Sequence, residues 1–296
     1  MSKLVQDLLA QGPVITDGAW GTQLLLQGLS SGDCPDQWNL IHPDRVEAVA
    51  RSYVAVGSQV ILTNTFGANR LRLAGFGLAD RVAEINRAGV EISRRAAAGR
   101  AKVFASLGPS GKLLLMGDTT EAELKTAFDE QARALAAAGA DAIVVETMTD
   151  LVEAKIALAA ARATGLPVVV SVVFDSGKDK DRTLMGATPE QVVTELAAAG
   201  ADVLGANCGQ GIAGYIRVCA RMRSVTDRPL WIKANAGLPK MVDGRAVYET
   251  TAEEFAQQAP ALVAAGANFV GGCCGTSPVF IQALKGALGA GTTRPR

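Results

Sequence analysis

Three cysteines carry the strongest chemical signal in the chain. Cys273 and Cys274 are adjacent within NFVGGCCGTSP, and Cys208 closes VLGANC sixty-five positions before Cys273. Neighbouring cysteines resist closing into a disulfide because the geometry is strained. Three thiolates brought together would suit zinc, which takes sulfur at about 2.3 Å in tetrahedral geometry. Three protein ligands leave one position open for chemistry, whereas a closed structural site needs a fourth. The competing readings are small buried residues, as free cysteines often are, or thiols with a redox role. Two carboxylates stand in comparable settings, Asp17 in ITDGAWGT and Glu146 in VVETM, where apolar runs give way to polar residues. Lys233 in LWIKANAG is an amine of the kind that forms Schiff bases in aldolases; a solvated or ion-paired lysine is the plainer reading. The single histidine, His42, precedes a helix in NLIHPDRV and reads as a turn residue. Cys34 falls in a loop and Cys219 in a helix, away from the other thiols.

The elements that must position these groups are written as a repeat. LAAAGADAIVVET, LAAAGADVLGANC and LVAAGANFVGGCC are three copies, and YVAVGSQVILTNT is a fourth. In each, an alanine-rich amphipathic stretch stops at glycine, and four or more mostly apolar positions follow, as for a strand buried on both faces. PVITDGA, KVFASLGP, LPVVVSVVFD and PLWIKANAG supply further strands. Helices are expected near residues 43–57, 79–99, 120–139, 150–165, 188–200, 211–226, 251–265 and 277–288. Eight βα units in 296 residues predict a (β/α)8 barrel. No Pro- or Ser-rich linker divides the chain, so one domain over residues 1–296 is expected. A doubly wound sheet would advertise a Gly-rich phosphate loop, and TDGAWGTQ is not one.

A barrel fixes where chemistry belongs, at the C-terminal ends of its strands. Seven and eight positions beyond the repeat glycines stand Asn64 and Thr65, Glu146 and Thr147, Asn207 and Cys208, and Cys273 and Cys274. Asp17 ends the first strand in the same way. The three cysteines should therefore converge at one rim.

Composition narrows the partners. The 29 basic and 29 acidic side chains cancel without long runs of one sign, which speaks against nucleic-acid and membrane surfaces and for small molecules. No stretch resembles a signal peptide or a membrane helix. With five cysteines, an odd number, a cytoplasmic protein with reduced thiols is expected.

DGAWGT, ILTNTFGANR, ETM, GANCG and GGCCGT, in this order and spacing, resemble the zinc-dependent homocysteine S-methyltransferases. That family includes the betaine and S-methylmethionine enzymes and the homocysteine-binding barrel of cobalamin-dependent methionine synthase. The likeness runs from about Val14 to Leu288. It implies that Cys208, Cys273 and Cys274 hold zinc, and that homocysteine sulfur takes the open position as a thiolate for an SN2 methyl transfer that makes methionine. It places Asp17 and Glu146 near the substrate ammonium and the backbone from Gly18 through Ala19 to Gly21 near its carboxylate. Asn207 and Asn235 are expected to orient neighbouring groups, and Asn235 to lend an oxygen to zinc when substrate is absent.

For the methyl donor, a cation would favour aromatic faces, and Trp20 and Trp38 lie in or just after the first strand-end loop. Trp38 matches a tryptophan of the onium-using branches, whereas Gly67 and Thr147 stand where animal betaine enzymes have tyrosines. An onium donor is expected, betaine ahead of S-methylmethionine. The sequence carries no folate or cobalamin domain, so the alternative is a corrinoid or folate donor on a separate partner protein. A homo-oligomer is the other partner class left open. A Schiff-base aldolase through Lys233 and a non-enzymatic zinc- or thiol-binding barrel are the remaining readings.

Overall fold

Glycine decides where each helix gives way to a strand. Gly57, Gly139, Gly200 and Gly266 have φ of +96°, +88°, +95° and +114°, a conformation that glycine adopts without a Cβ clash. In the computed structural model, which describes residues 2–30, 32–242 and 245–289, helices Pro43–Ala55, Glu121–Ala137, Pro189–Ala198 and Ala259–Ala264 all end just before these glycines. The far ends of several helices are fixed by capping boxes, in which Thr120, Thr188 and Thr251 accept an N–H from the third helical residue and receive a side chain in return.

Eight parallel strands result: Val14–Ile15, Val60–Ile61, Lys102–Leu107, Ala142–Met148, Val168–Val172, Val203–Gly211, Leu230–Asn235 and Ala267–Gly272. Their hydrogen-bonded order runs first, eighth, seventh and so on down to second. The expected (β/α)8 barrel is therefore the fold. Its seam, between the short first and second strands, is closed by side chains as well as backbone. The Gln59 N–H donates to the Ile15 carbonyl at 2.8 Å. The Gln59 side-chain oxygen accepts from the Ile15 N–H at 2.9 Å, and Asp17 Oδ2 accepts the Leu62 N–H at 2.7 Å.

Inside the barrel the strand period of two separates floor from rim. Val14, Phe104, Val144, Val169, Trp231 and Phe269 belong to one buried apolar cluster, and Trp231 lies 6.0 Å from Phe104 and 5.4 Å from Phe269. Helix Lys3–Leu9 plugs this end with Val5. Two residues further along the same faces come Ser106, Glu146, Ser171 and Lys233, all buried and all polar. A larger apolar layer packs between strands and helices.

Two expected helices differ in detail. Residues 79–99 begin as a 3-10 turn, Ala79–Arg81, before helix Val82–Ala97, and residues 251–265 form two helices, Ala252–Gln257 and Ala259–Ala264. Pro260 explains the second break: it lacks an N–H, and its ring would meet the carbonyl four residues back. Short helices Lys3–Leu9, Trp20–Leu26, Trp38–Ile41 and Arg70–Ala74 and an antiparallel pair, Lys240–Val242 with Arg245–Val247, add to the eight units. Among the described residues no helix is long and apolar enough to cross a membrane.

Candidate active site

The sixth and eighth strands deliver their cysteines to one point. The sulfurs of Cys208, Cys273 and Cys274 all lie within 4.8 Å of one another, and Cys208 and Cys274 are 3.8 Å apart. Tetrahedral ligands at about 2.3 Å from zinc stand about 3.8 Å apart, so the spacing fits that metal. The chemistry of the donor set agrees. Contact with Cys273 pulls the Cys208 thiol down, but contact with Cys274 and burial outweigh it and push it up to about 11. Cys273 is pushed up to about 12, first by its contact with Cys208 and then by burial. In Cys274 the downward pull of Cys208 is outweighed by Cys273 and burial, again giving about 12. Three sulfurs this close and this buried become anionic together only with a cation among them.

Two sequence motifs dock on each other to hold the thiols. The Thr276 hydroxyl of GGCCGT accepts the Ala19 N–H at 3.1 Å and donates to the Cys273 carbonyl at 2.7 Å. In return, the Thr22 hydroxyl of DGAWGT accepts the Gly275 N–H at 3.2 Å. Gly275 has φ +79°, and a Cβ there would stand 2.2 Å from the ring of Tyr248. On the seventh strand, the Ala234 carbonyl accepts the Cys273 N–H at 2.7 Å and the Ala236 N–H donates to the Cys274 carbonyl at 2.9 Å. Asn235, between them, is buried, and its Oδ1 has no hydrogen-bond partner among the described residues.

Asn207 ties strained backbone to the cluster. Thr147 and Cys208 both have φ +64°, rare for residues with a Cβ and more so for a β-branched one. The fully buried Asn207 accepts the Thr147 N–H at 2.9 Å and the Ser171 hydroxyl at 2.7 Å, and donates to Thr147 Oγ1 at 2.7 Å. Its amide also lies 3.9 Å from the Cys273 sulfur.

The carboxylates divide by what already holds them. Asp17 is fully buried; Oδ1 is paired with the Lys233 ammonium, and Oδ2 accepts both the Leu62 N–H and, at 2.8 Å, the Trp20 indole N–H. It does not line the cavity beside the thiols, whereas Glu146 and Lys233 do. Glu146 Oε1 accepts the Ser106 hydroxyl at 2.5 Å. Burial raises its pKa against the opposing charge of Lys233 and the Ser106 bond. Burial pulls Lys233 down, but Asp17 and Glu146 outweigh it and hold the amine protonated, the opposite of what a Schiff-base nucleophile requires.

The cavity, about 290 Å³, opens between the thiols and the loops after the first and second strands. Gly18, Ala19, Trp20 and Gly21 line it, although the Ala19 N–H is already engaged by Thr276. Phe66 and Phe76 join Trp20 as its aromatic wall. Trp38 is not on that wall: it is 3% exposed, edge-on to His42 at 4.7 Å and capped by the Arg45 guanidinium at 5.4 Å. His42 lies between helices Trp38–Ile41 and Pro43–Ala55. Cys34 packs in a separate apolar cluster, and Cys219 is buried under Ala265.

Ser106, Ser171, Thr22, Thr276 and Tyr248 were not singled out from the sequence, nor were Asp36 and Arg72 on the cavity wall. The inward period of two after Phe104 and Val169 points to the serines. Nothing local marks Asp36 or Arg72, which come together from the segment after Pro35 and from helix Arg70–Ala74.

The homocysteine S-methyltransferase family model matches residues 14–288. The chain is 32% identical over 308 residues to a methionine synthase of Mycobacterium tuberculosis and 31% identical over 301 residues to one of Mycobacterium leprae. These alignments cover 98% and 95% of this chain but 26% and 25% of those proteins, so the chain spans about a quarter of the length of these curated relatives. Among solved structures, the metallated form of the homocysteine methyltransferase MmuM from Escherichia coli has a TM-score of 0.79 at 24% identity, covering 96% of this chain and 98% of that one. Its oxidized form gives 0.80 at 23% identity, covering 95% and 99%. At such identity the likeness speaks for the fold. The family match itself runs from the first barrel strand into the last helix and takes in all three clustered cysteines, and on that ground the chain belongs to the homocysteine S-methyltransferase family.

Proposed function

We propose that the chain makes methionine by moving a methyl group from an onium donor, betaine first and S-methylmethionine second, to the thiol of homocysteine. The observation that carries this reading is the three-thiol cluster on the wall of a cavity that also presents Glu146 and Lys233. Cys208, Cys273 and Cys274 would hold zinc, which when bound supplies the Lewis acidity that brings a thiol with a pKa near ~8.5 to its anion at neutral pH.

The chain's own residues bind and orient. Glu146 accepts the amino acid's ammonium. Backbone N–H groups of Gly18, Trp20 and Gly21, with Lys233 as counter-charge, face its carboxylate, Ala19 shaping the wall between them, and Asp17 acts from behind by fixing Lys233. Asn207 and Asn235 orient the backbone and sulfurs around the cluster. Trp20 and Phe66 offer ring faces to a cation, while Trp38 supports the Pro35 carbonyl through its own N–H at 3.1 Å. Transfer is an in-line displacement. The acceptor sulfur's electron pair forms the new S–CH3 bond as the donor's C–N or C–S bond breaks, and that bond's pair leaves with a neutral amine or sulfide. The thiol proton has passed to solvent beforehand, so positioning is what the protein must supply.

A second reading keeps the acceptor and changes the donor to a corrinoid or folate carried by a partner. It is favoured by the likeness to two methionine synthases. Zinc-loaded protein and homocysteine, offered betaine, S-methylmethionine, methylcobalamin and methyltetrahydrofolate in parallel, separate the two. Methionine from an onium donor alone is the expected result. Methionine from methylcobalamin or methyltetrahydrofolate alone moves the assignment to the partner, and none from any donor retires the reading.

A further inference from the structure

Besides Glu146 and Lys233, borne on strands, the cavity wall carries a second acid and base from the segments above the strand ends. Asp36 is 5% exposed and follows Cys34 and Pro35; its Oδ1 accepts the Gly67 N–H at 2.9 Å. Arg72, in helix Arg70–Ala74, lies over the Phe66 ring at 5.6 Å. Both reach the same place: Asp36 Oδ2 and Arg72 Nε are 2.6 and 3.4 Å from where a Cβ on Gly67 would stand. Glycine at 67 is what leaves room for them.

Yet the two form no ion pair with each other, and Arg72 makes none with any carboxylate of the described residues, although its charge also reaches the buried Glu153. A buried carboxylate and a half-buried guanidinium this near, with no ion pair between them, match a ligand bearing both signs. Desolvation raises Asp36 to about 6, with Arg72 opposing it, so the carboxylate is mostly ionised at neutral pH.

We infer that Asp36 and Arg72 form a zwitterion site for the methyl donor, with Asp36 facing the onium cation and Arg72 binding a carboxylate on the same molecule. The inference rests on the methyl-transfer reading and narrows it to onium donors that carry their own carboxylate. One pair, Glu146 and Lys233, then serves the amino-acid acceptor, and the other serves the donor. In the transfer, the donor's C–N or C–S electron pair stays with the leaving amine or sulfide, which keeps its carboxylate on Arg72 as the cation beside Asp36 is neutralised.

Calorimetry on the full chain loaded with zinc and homocysteine tests this with glycine betaine, its methyl ester and tetramethylammonium. Wild type should bind betaine more tightly than the ester. Arg72→Met should weaken betaine by about 10- to 100-fold while leaving the ester within about twofold. Arg72→Lys should lose less, and Asp36→Asn should weaken all three. Equal binding of betaine and ester by wild type, an equal loss of both in Arg72→Met, or no onium binding at all overturns the inference. Methionine production separates the two levels: betaine turnover unaffected by both variants removes this site and leaves the onium donor standing, whereas turnover with methylcobalamin alone removes both the site and the onium donor.

Discussion

Replacing Asn207 with alanine tests how the rim is held. The side chain is fully buried and bonds two strands besides its own. Its loss strands the Thr147 N–H, fixed in place by φ +64°, and the Ser171 hydroxyl. An unsatisfied buried group costs about 1–3 kcal/mol. The hydroxyl can turn elsewhere and the N–H cannot, and a small cavity is added. A total of about 3–5 kcal/mol follows, among the larger effects of single substitutions. With an unfolding entropy of about 2.1 cal/mol/K per residue, that is a Tm lower by about 5–8 °C. Urea denaturation with a chelator present throughout keeps metal binding out of the measurement. Zinc affinity, read by competition with a chromophoric chelator, should fall by about 10- to 100-fold, the usual effect of losing a group that orients a ligand. Asn207→Asp retains the acceptor for Thr147 and Ser171 but puts a carboxylate beside Cys273, so it should regain stability without regaining zinc affinity. A loss below about 1 kcal/mol with unchanged zinc affinity in Asn207→Ala would refute the reasoning.

Cys208→Ser, Cys273→Ser and Cys274→Ser should each remove most zinc by elemental analysis while far-ultraviolet dichroism stays that of the barrel, and affinity in the parent should fall as pH drops because the ligands must lose protons. Glu146→Gln should weaken homocysteine binding by about 1.5–3 kcal/mol with zinc content unchanged; unaltered affinity would return Glu146 to a purely structural role. Asp36 gives a pH test. Its folded pKa of about 6 lies above the unfolded value near ~3.9, so the native state binds more protons in that window and stability falls as pH rises through it. Asp36→Asn should remove a loss of about 2–3 kcal/mol between pH 4 and pH 7, measured as the difference between the two urea midpoints. Equal slopes for variant and parent would contradict this.

The barrel and the meeting of its thiols are legible in the amino-acid sequence. Both are written in local periods: an amphipathic stretch, a glycine that only a left-handed turn requires, then an apolar strand, with the reactive residue a fixed number of positions beyond. Counting from Gly200 and Gly266 was enough to bring Cys208 to Cys273 and Cys274, because every strand of a parallel barrel ends at the same rim. Tertiary structure alone decided how the charged groups were shared. Asp17 is paired with Lys233, 216 residues away, and also with the seam at Leu62, so it faces the protein rather than the cavity. Trp38 turns into packing with His42 and Arg45 while Phe66 takes the cavity wall. Asp36 and Arg72 meet only because Gly67 leaves the space between them. Periodicity specifies which face of an element is buried. Which side chain then meets which depends on the register of the whole ring and on the loops above it, and no local spacing encodes that.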